Sequence, residues 1–293
     1  MQLKELYKKL RKYEIQIRKA VRSHMQGDFH SIFKGSGLEF DDVRAYQYGD
    51  DIRRIDWNVS AKGHGAFVKT FKEEKEQTVF FILDVSGSQE IGVPGSQKLD
   101  IGKEICGVLT LSSIKEDSQV GLICFSDRNE KFVKPGKDNK HAFEMIKSIF
   151  TLQPVSVKTN LSNAILFALQ VIKRRSVIVL ISDFIDEGYF HNFKALARKH
   201  DLVAIHLMDK RETALPGFGI TPLYDKEAQK TVWINTSSAT FRNSLNKTYQ
   251  INKLELEKIC RQYNVNYLQV NTDEDYVPKL IKLFKIRNRS LKR

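Results

Sequence analysis

The sequence predicts an α/β protein with a doubly wound, mostly parallel sheet that carries helices on both faces. Two runs, residues 78–86 and 176–182, are almost continuously apolar and rich in β-branched residues, which is typical of strands buried on both faces. Helical patterns separate these runs from the other candidate strands, and such an alternation indicates a parallel sheet. The 293 residues, 41% of them hydrophobic, are enough to bury a large core.

The elements follow one another with short connections. Residues 3–22 place apolar side chains at helical spacing between lysines and arginines, so we expect an amphipathic first helix whose apolar stripe packs against the body or a second copy. The stripe contains Leu3, Leu6, Leu10, Tyr13 and Ile17. Further strands are predicted at residues 65–71, 119–125, 131–134, 202–208 and 265–270, with a hairpin at 222–224 and 232–235. Further helices are predicted at residues 98–114, 140–150, 161–173, 189–199 and 240–263, and from residue 277 onward.

The predicted organisation has two parts. Residues 27–76 lack a periodic apolar pattern and contain glycine-rich turn signals. We therefore predict that residues 1–76 form the first helix and an irregular segment packed on the main domain. Residues 77–293 are predicted to form the sheet domain.

The formal net charge of +13 is confined to the two ends of the chain. Residues 1–24 contain eight Lys or Arg and two acids, and residues 279–293 contain seven Lys or Arg and no acid, so the body between them is neutral. These ends are either solvated helix faces or an electrostatic contact with an acidic partner, RNA or an anionic membrane surface. We expect the basic side chains near the carboxyl terminus to be solvated: Lys282, Lys285, Arg287, Arg289, Lys292 and Arg293. The neutral body and the lack of a known motif argue against specific nucleic-acid binding, and a binder that uses the basic tails remains an alternative.

Several classes are disfavoured by what the sequence lacks. No apolar stretch approaches the ~20 residues of a membrane-spanning helix, and the amino terminus has no signal-peptide core. The cysteines, Cys106, Cys124 and Cys260, stand apart in apolar surroundings, which favours a reducing compartment. Neither a P-loop nor a Gly-x-Ser-x-Gly elbow is present. We predict a cytoplasmic protein without a transmembrane anchor.

Carboxylate and hydroxyl side chains collect where the predicted strands end. Asp84, Ser86 and Ser88 leave the first buried strand at alternate positions. Thr159 stands just before a predicted helix, and Asp183 follows the strand at 176–182. Ligands of open α/β sheets bind at this edge, and hard oxygen ligands suit Mg²⁺, which keeps several of its waters. We predict a weak site for Mg²⁺, or Mn²⁺, at these five residues, although helix capping and turns explain each of them singly.

A metal-dependent hydrolase, either a nuclease or a phosphatase, is the alternative function for the same residues. Asp84 occupies the place of the nucleophile in aspartyl phosphotransferases, but residue 86, where those enzymes need a second acid, is Ser. No Lys or His stands at motif spacing to act as a base. We therefore predict that the chain is not an enzyme and has no hydrolase or kinase activity of its own.

The order Asp84-x-Ser86-x-Ser88, Thr159, Asp183 resembles the metal-ion-dependent adhesion site of von Willebrand factor A domains. The resemblance implies that the two Ser and the Thr contact the ion or its waters, and that the Asp residues act largely through water. It also implies that an acidic residue of a client protein fills the open coordination position.

A longer pattern across residues 35–61, which includes Glu39, Arg44, Asp50 and Trp57, resembles the bacterial family called domain of unknown function 58. This resemblance runs from about residue 27 to the carboxyl terminus and implies a MoxR-type AAA+ ATPase as partner. The implied function is an adaptor or co-chaperone that works with this ATPase in the assembly or maturation of other proteins. Gln89 stands where related sequences often have Met, which we interpret as a packing change.

Overall fold

The protein has the α/β architecture that the sequence predicts. The computed structural model describes residues 3–22, 38–48, 50–61, 65–73, 77–213, 217–225 and 230–290. Its strands are β1 (Leu38–Ala45), β2 (Phe67–Glu73), β3 (Thr78–Asp84), β4 (Gly92–Val93), β5 (Ser96–Gln97), β6 (Gln119–Phe125), β7 (Asn129–Gly136), β8 (Val177–Ser182), β9 (Asp201–Met208), β10 (Ile220–Asp225), β11 (Lys230–Asn235) and β12 (Asn266–Asn271). Its helices are α1 (Leu3–Arg22), α2 (Trp57–Ser60), α3 (Lys98–Lys115), α4 (Asn139–Thr151), α5 (Leu161–Val171), α6 (Phe190–Lys199), α7 (Lys210–Thr213), α8 (Ala239–Gln262) and α9 (Tyr276–Ser290).

The central sheet has six strands in the order β12-β9-β8-β3-β6-β7. Its neighbouring strands are parallel except for β6 and β7, which are antiparallel. β3 and β8 lie side by side at the centre, and all their residues except Thr78 are buried. The predicted mostly parallel sheet is therefore confirmed, and the carboxyl ends of β3, β8 and β9 meet at one edge.

Two hydrophobic cores, one on each face of the sheet, follow from the alternation of side chains along β3. Phe81 and Leu83 belong to the core that α1, α3, α4 and α9 cover. Phe80 and Ile82 belong to the opposite core, which α5, α6 and α8 cover. Within the described ranges, no helix is long and apolar enough to cross a membrane.

The first helix packs against the body, as its apolar stripe predicts. Leu6, Leu10 and Ile17 are at most 3% exposed, and they belong to the core that α3 and α9 also line. Gly107 of α3 permits the close approach, because a Cβ at this position would lie 2.8 Å from Leu10 Cδ1. The side chain of Leu3 lies outside the described set.

The prediction of an irregular backbone across residues 27–76 is wrong for residues 38–45. These residues form β1, which pairs antiparallel with β2 and has a bulge between Phe40 and Asp42. Asp42 stands where the alternation of Leu38 and Phe40 requires an apolar residue, so the strand pattern is interrupted and pairing with β2 decides the conformation. Residues 23–37, 49, 62–64 and 74–76 lie outside the described residues. The division of the chain after residue 76 stays a prediction.

The prediction that the basic residues near the carboxyl terminus are solvated is wrong for Arg287. Its side chain is 3% exposed, and its guanidinium donates to Asp201 Oδ1 at 3.1 Å and to Asp201 Oδ2 at 2.6 Å. This bidentate pair fixes α9 to the first residue of β9. Lys282, in contrast, is exposed as predicted, while residues 291–293 lie outside the described part of the chain.

We expect Arg287→Met to lower the free energy of unfolding by about 1–3 kcal/mol, because the substitution leaves Asp201 without its bidentate partner. Lys282→Met, an exposed position on the same helix, is the control and should change the stability by less than about 0.5 kcal/mol. Urea unfolding of both variants is the measurement. Equal stabilities of the two variants would show that Arg287 behaves as a solvated charge.

Candidate metal centre

Four of the five predicted metal ligands meet at the carboxyl edge of the sheet. Asp84 is the last residue of β3, and Ser86 and Ser88 stand at the start of the 3₁₀ turn that follows it. Asp183 comes directly after β8, the parallel neighbour of β3. Because parallel neighbours end at the same edge, both carboxylates enter one buried cluster, in which Asp84 is 1% and Asp183 is 2% exposed.

Both oxygens of the Asp84 carboxylate accept two hydrogen bonds. Oδ1 accepts the backbone N–H of Ser86 at 3.0 Å and the hydroxyl of the same residue at 2.6 Å. Oδ2 accepts the hydroxyl of Ser182 at 2.7 Å and the side-chain amide of Gln89 at 3.3 Å. Four donors therefore compensate the loss of water around this buried group.

The two carboxyl groups differ in their protonation behaviour. Burial, together with the nearby charge of Asp183, raises the pKa of Asp84 above its usual range, and the hydrogen bonds from Ser86 and Ser182 only partly oppose this. Burial acts to raise the pKa of Asp183 as well, but the charge of Lys98 and hydrogen bonds from Lys98 and Ser88 hold it below its usual value. Asp183 is thus the more firmly ionised of the two.

The hydroxyl groups of Ser86 and Ser88 fit the requirements of a small divalent cation. Ser86 donates its proton to Asp84 Oδ1, and Ser88 Oγ accepts a hydrogen bond from the side-chain amide of Gln89, so each oxygen keeps a lone pair for a further partner. The two Oγ atoms are 3.2 Å apart, close to the edge of an octahedron with Mg–O bonds of ~2.1 Å, which is ~3 Å long. Gln89 Oε1 is buried and accepts no hydrogen bond from the described residues, and a water on a bound ion would satisfy such an acceptor.

Thr159, the fifth predicted ligand, lies half-buried in the loop before α5. The backbone N–H of Gly87 donates to the carbonyl of Val157 at 2.7 Å, which joins this loop to the turn that carries the two serines. The helix itself is capped by Asn160, whose side chain accepts the N–H of Asn163 at 2.8 Å. Capping therefore does not account for Thr159, and its role as a ligand stays a prediction.

Lys98 is a member of this cluster that the sequence analysis misses. It is the first residue of α3 and is 0% exposed, and its Nζ donates to Asp183 Oδ2 at 2.7 Å and to Glu212 Oε1 in α7. Burial acts to lower the pKa of Lys98, but the charges of Asp183 and Glu212 outweigh burial and raise it. The available signal is a lysine in the first turn of an apolar helix, where the helix dipole disfavours a positive charge.

Ser182 and Gln89 are also missed. The hydroxyl of Ser182 donates to Asp84 and accepts the N–H of Phe184 at 3.0 Å. Phe184 has a φ of 54°, a left-handed conformation that costs free energy in a residue other than glycine. Gln89 donates to Ser88 Oγ as well as to Asp84, both at 3.3 Å, so its side chain takes part in the polar cluster.

The composition of the cluster bears on the kind of ion. In the described part of the chain, no group of three or more His, Cys, Asp or Glu side chains is arranged to hold a metal ion. A cation at this edge therefore needs hydroxyl oxygens as well as the two carboxylates. Such an oxygen set, completed by water, suits Mg²⁺ or Mn²⁺ better than Zn²⁺, which is bound most often through His nitrogen and Cys sulfur.

An exposed apolar hairpin follows the same edge. β9 ends there, α7 follows it, and β10 and β11 form the antiparallel hairpin that was predicted, with Pro222 opposite Trp233. Opposite residues share a face, so Ile220, Tyr224 and Trp233 lie on one side, and they are 70%, 62% and 68% exposed. This hairpin face is therefore an apolar surface in water, and isolated patches of this kind often mark contact sites.

Ser182→Ala removes a donor to Asp84 and the acceptor of the Phe184 N–H, so we expect it to lower the free energy of unfolding by about 1–3 kcal/mol. Ser113→Ala is the matched control. Ser113 is also 0% exposed, but its hydroxyl donates only to the carbonyl of Leu109 within α3. Thermal or urea unfolding compares them, and an equal loss in both variants would contradict a special role for Ser182.

Relatives by sequence include uncharacterized proteins of Mycobacterium bovis and Mycobacterium tuberculosis. Each is 24% identical to this chain over 283 residues, which is 96% of this chain and 89% of the relative. An uncharacterized protein of Mycobacterium avium is 27% identical over 159 residues, which is 53% of this chain and 94% of that protein.

Three solved structures that resemble this chain have low sequence identity to it. An aerotolerance-related membrane protein from Bacteroides fragilis is 17% identical with a TM-score of 0.47, over 73% of this chain and 99% of that chain. The conserved hypothetical protein BatB from Bacteroides thetaiotaomicron is 16% identical with a TM-score of 0.46, over 73% of this chain and 99% of that chain. The SpRpn10 VWA domain is 11% identical with a TM-score of 0.39, over 73% of this chain and 94% of that chain.

One family model matches more than half of the chain. It spans residues 42–255 and is described as Protein of unknown function DUF58. The match extends from β1 through the sheet edge that carries the cluster and into α8. The chain therefore belongs to the family of proteins of unknown function DUF58.

Proposed function

We propose that this protein is a metal-dependent protein-interaction module. A Mg²⁺ or Mn²⁺ ion would bind weakly at Asp84, Ser86, Ser88, Thr159 and Asp183, and an acidic side chain of a partner protein would complete its coordination. One observation carries the proposal. The Oγ atoms of Ser86 and Ser88 lie 3.2 Å apart beside the buried Asp84 carboxylate, and each oxygen keeps a lone pair for a further partner.

The bound ion would supply a positive charge with an open coordination position. The residues of the cluster differ in how far they reach solvent, because Asp84 and Ser86 are buried while Ser88 is half-buried. A partner carboxylate would therefore approach over Ser88 and the Thr159 loop. The buried carboxylates of Asp84 and Asp183 would attract the ion from the protein interior, and the hydrogen bond between Asp84 and Ser86 would hold the Ser86 hydroxyl in place.

The geometry argues against the hydrolase alternative. A nucleophilic Asp84 would need an oxygen that a substrate can reach, yet both oxygens accept two hydrogen bonds and the residue is 1% exposed. Lys98 keeps its proton, because Asp183 and Glu212 raise its pKa, so it is a poor general base. These hydrogen bonds of Asp84 and ion pairs of Lys98 suit a site that binds a metal ion and a partner without catalysing a reaction.

The hairpin face gives the partner a second contact. Arg211 on α7, the element between β9 and the hairpin in the chain, is an exposed basic side chain. A partner segment that combines an acidic residue for the ion with apolar residues for Trp233 and Tyr224 would match both the charge and the apolar surface. We propose such an acidic and apolar segment as the client.

A MoxR-type AAA+ ATPase is the proposed partner system, and the resemblance described above is the support for it. The module would then act as an adaptor or co-chaperone in the assembly or maturation of other proteins. We place this activity in the cytoplasm, since Cys106, Cys124 and Cys260 are all free and buried. The exposed basic side chains of α1 and α9 would add a salt-sensitive contact with an acidic partner.

The metal site is tested with Ser88→Ala, which removes one proposed ligand from a half-buried position. We expect wild-type protein to bind Mg²⁺ and Mn²⁺ with dissociation constants on the order of 0.1–1 mM, and the variant to bind at least about tenfold more weakly. Isothermal calorimetry measures both. Ser96→Ala, an exposed serine in β5, is the control and should bind as wild type does.

The same proteins test the interaction. A client protein captured in a pull-down should be retained by wild-type protein and by Ser96→Ala in Mg²⁺, but not in chelator and not by Ser88→Ala. Retention that is equal in Mg²⁺ and in chelator would refute metal dependence. Turnover of a phosphoester that disappears in both Asp84→Ala and Asp183→Ala would instead favour the hydrolase.

Trp233→Ala tests the hairpin as part of the interface. Because Trp233 is 68% exposed, its loss should leave stability and Mn²⁺ affinity unchanged, but it should weaken partner binding at least about tenfold, as the loss of an aromatic anchor does. Trp57→Ala removes the other tryptophan of the chain, 67% exposed on α2, and should bind the partner as wild type does. Equal binding by the two variants would exclude the hairpin from the interface.

A further inference from the structure

Lys98 places a positive charge inside the candidate metal centre. Its side chain is 0% exposed, and Nζ donates to Asp183 Oδ2 at 2.7 Å and to Glu212 Oε1. Lys98 begins α3 and Glu212 belongs to α7, so two elements from different parts of the chain meet at this ammonium group. The two carboxylates compensate the cost of burying the ammonium group, which would be high without them.

The cluster contains more acidic than basic side chains. The carboxyl groups of Asp84, Asp183 and Glu212 are 1%, 2% and 8% exposed, and the ammonium group of Lys98 is the cation that contacts Asp183 and Glu212. A divalent cation at Ser86 and Ser88 would add further positive charge beside these carboxyl groups and favour their ionised form.

We infer that Lys98 is a positioning residue that limits the affinity of this site for divalent cations, an inference that rests on the proposed metal site. Its ammonium group is the resident counter-ion of Asp183. It holds this carboxylate beside Ser88 whether or not an ion is bound, so the rim keeps its shape in the free protein. The same charge repels an arriving cation, which makes the ion weakly held and exchangeable until a partner carboxylate joins it.

The test measures Mn²⁺ binding to the full chain by electron paramagnetic resonance, which distinguishes bound from free Mn²⁺. Lys98→Met removes the charge at similar volume and should raise the Mn²⁺ affinity on the order of 10- to 100-fold, because a like charge leaves the site. Glu212→Gln removes a negative charge while Lys98 stays on Asp183, so it should lower the affinity a few-fold. Thermal unfolding should show a larger rise in Tm on addition of MgCl₂ for Lys98→Met than for wild type.

The double variant Lys98→Met/Glu212→Gln covers the case in which Lys98→Met does not fold. It removes the ammonium together with one of its carboxylates, and it should bind Mn²⁺ more tightly than Glu212→Gln alone. The inference is overturned if the double variant binds Mn²⁺ no more tightly than Glu212→Gln, or if a folded Lys98→Met binds Mn²⁺ no more tightly than wild type. Either result leaves the proposed function standing. No Mn²⁺ binding by wild type or by any variant overturns both.

Discussion

The burial of two carboxylates at the ends of neighbouring strands is the constraint on which the rest of this structure depends. Asp84 and Asp183 are almost fully excluded from solvent, and an ionised carboxylate is very costly in such a place unless donors surround it. The chain supplies these donors from separate segments: the turn after β3 through Ser86, the end of β8 through Ser182, and the start of α3 through Lys98. The local structure around the sheet edge follows from this need.

The doubly wound fold brings Asp84 and Asp183 together through its strand order alone. β3 and β8 are parallel neighbours, so the residues that leave them are adjacent by construction. The next strand, β9, leads into α7 and thereby brings Glu212 to Lys98. The left-handed backbone at Phe184 turns the chain away directly after Asp183, and the Ser182 hydroxyl binds its N–H. A strained residue beside a buried carboxylate is typical of a site that the structure holds in a fixed geometry.

The sequence predicts those residues of the cluster that follow a recognisable pattern in the neighbouring sequence. Asp84, Ser86, Ser88 and Asp183 follow recognisable apolar strands, and parallel strand ends must meet. The contact between Lys98 and Asp183 cannot be predicted in this way, because the two residues are 85 positions apart and the lysine at the start of an apolar helix does not indicate which carboxylate it meets.

The same reasoning explains the two errors in the fold. Arg287 lies among similar basic residues of α9, and no pattern distinguishes the one that reaches Asp201. The strand β1 carries several charged residues, so its pairing with β2, which follows α2 in the chain, leaves little trace in its own composition. Both features depend on contacts between distant segments.

The central claim is that a divalent cation binds at the serines between the two buried carboxylates. Anomalous scattering from a crystal grown or soaked in millimolar MnCl₂ tests it most directly. The account predicts one strong peak within ~2–2.4 Å of both Ser86 Oγ and Ser88 Oγ, the distance expected for a hard cation bound by oxygen. Mn²⁺ that occupies other sites in the crystal and leaves this edge without a peak would contradict the account.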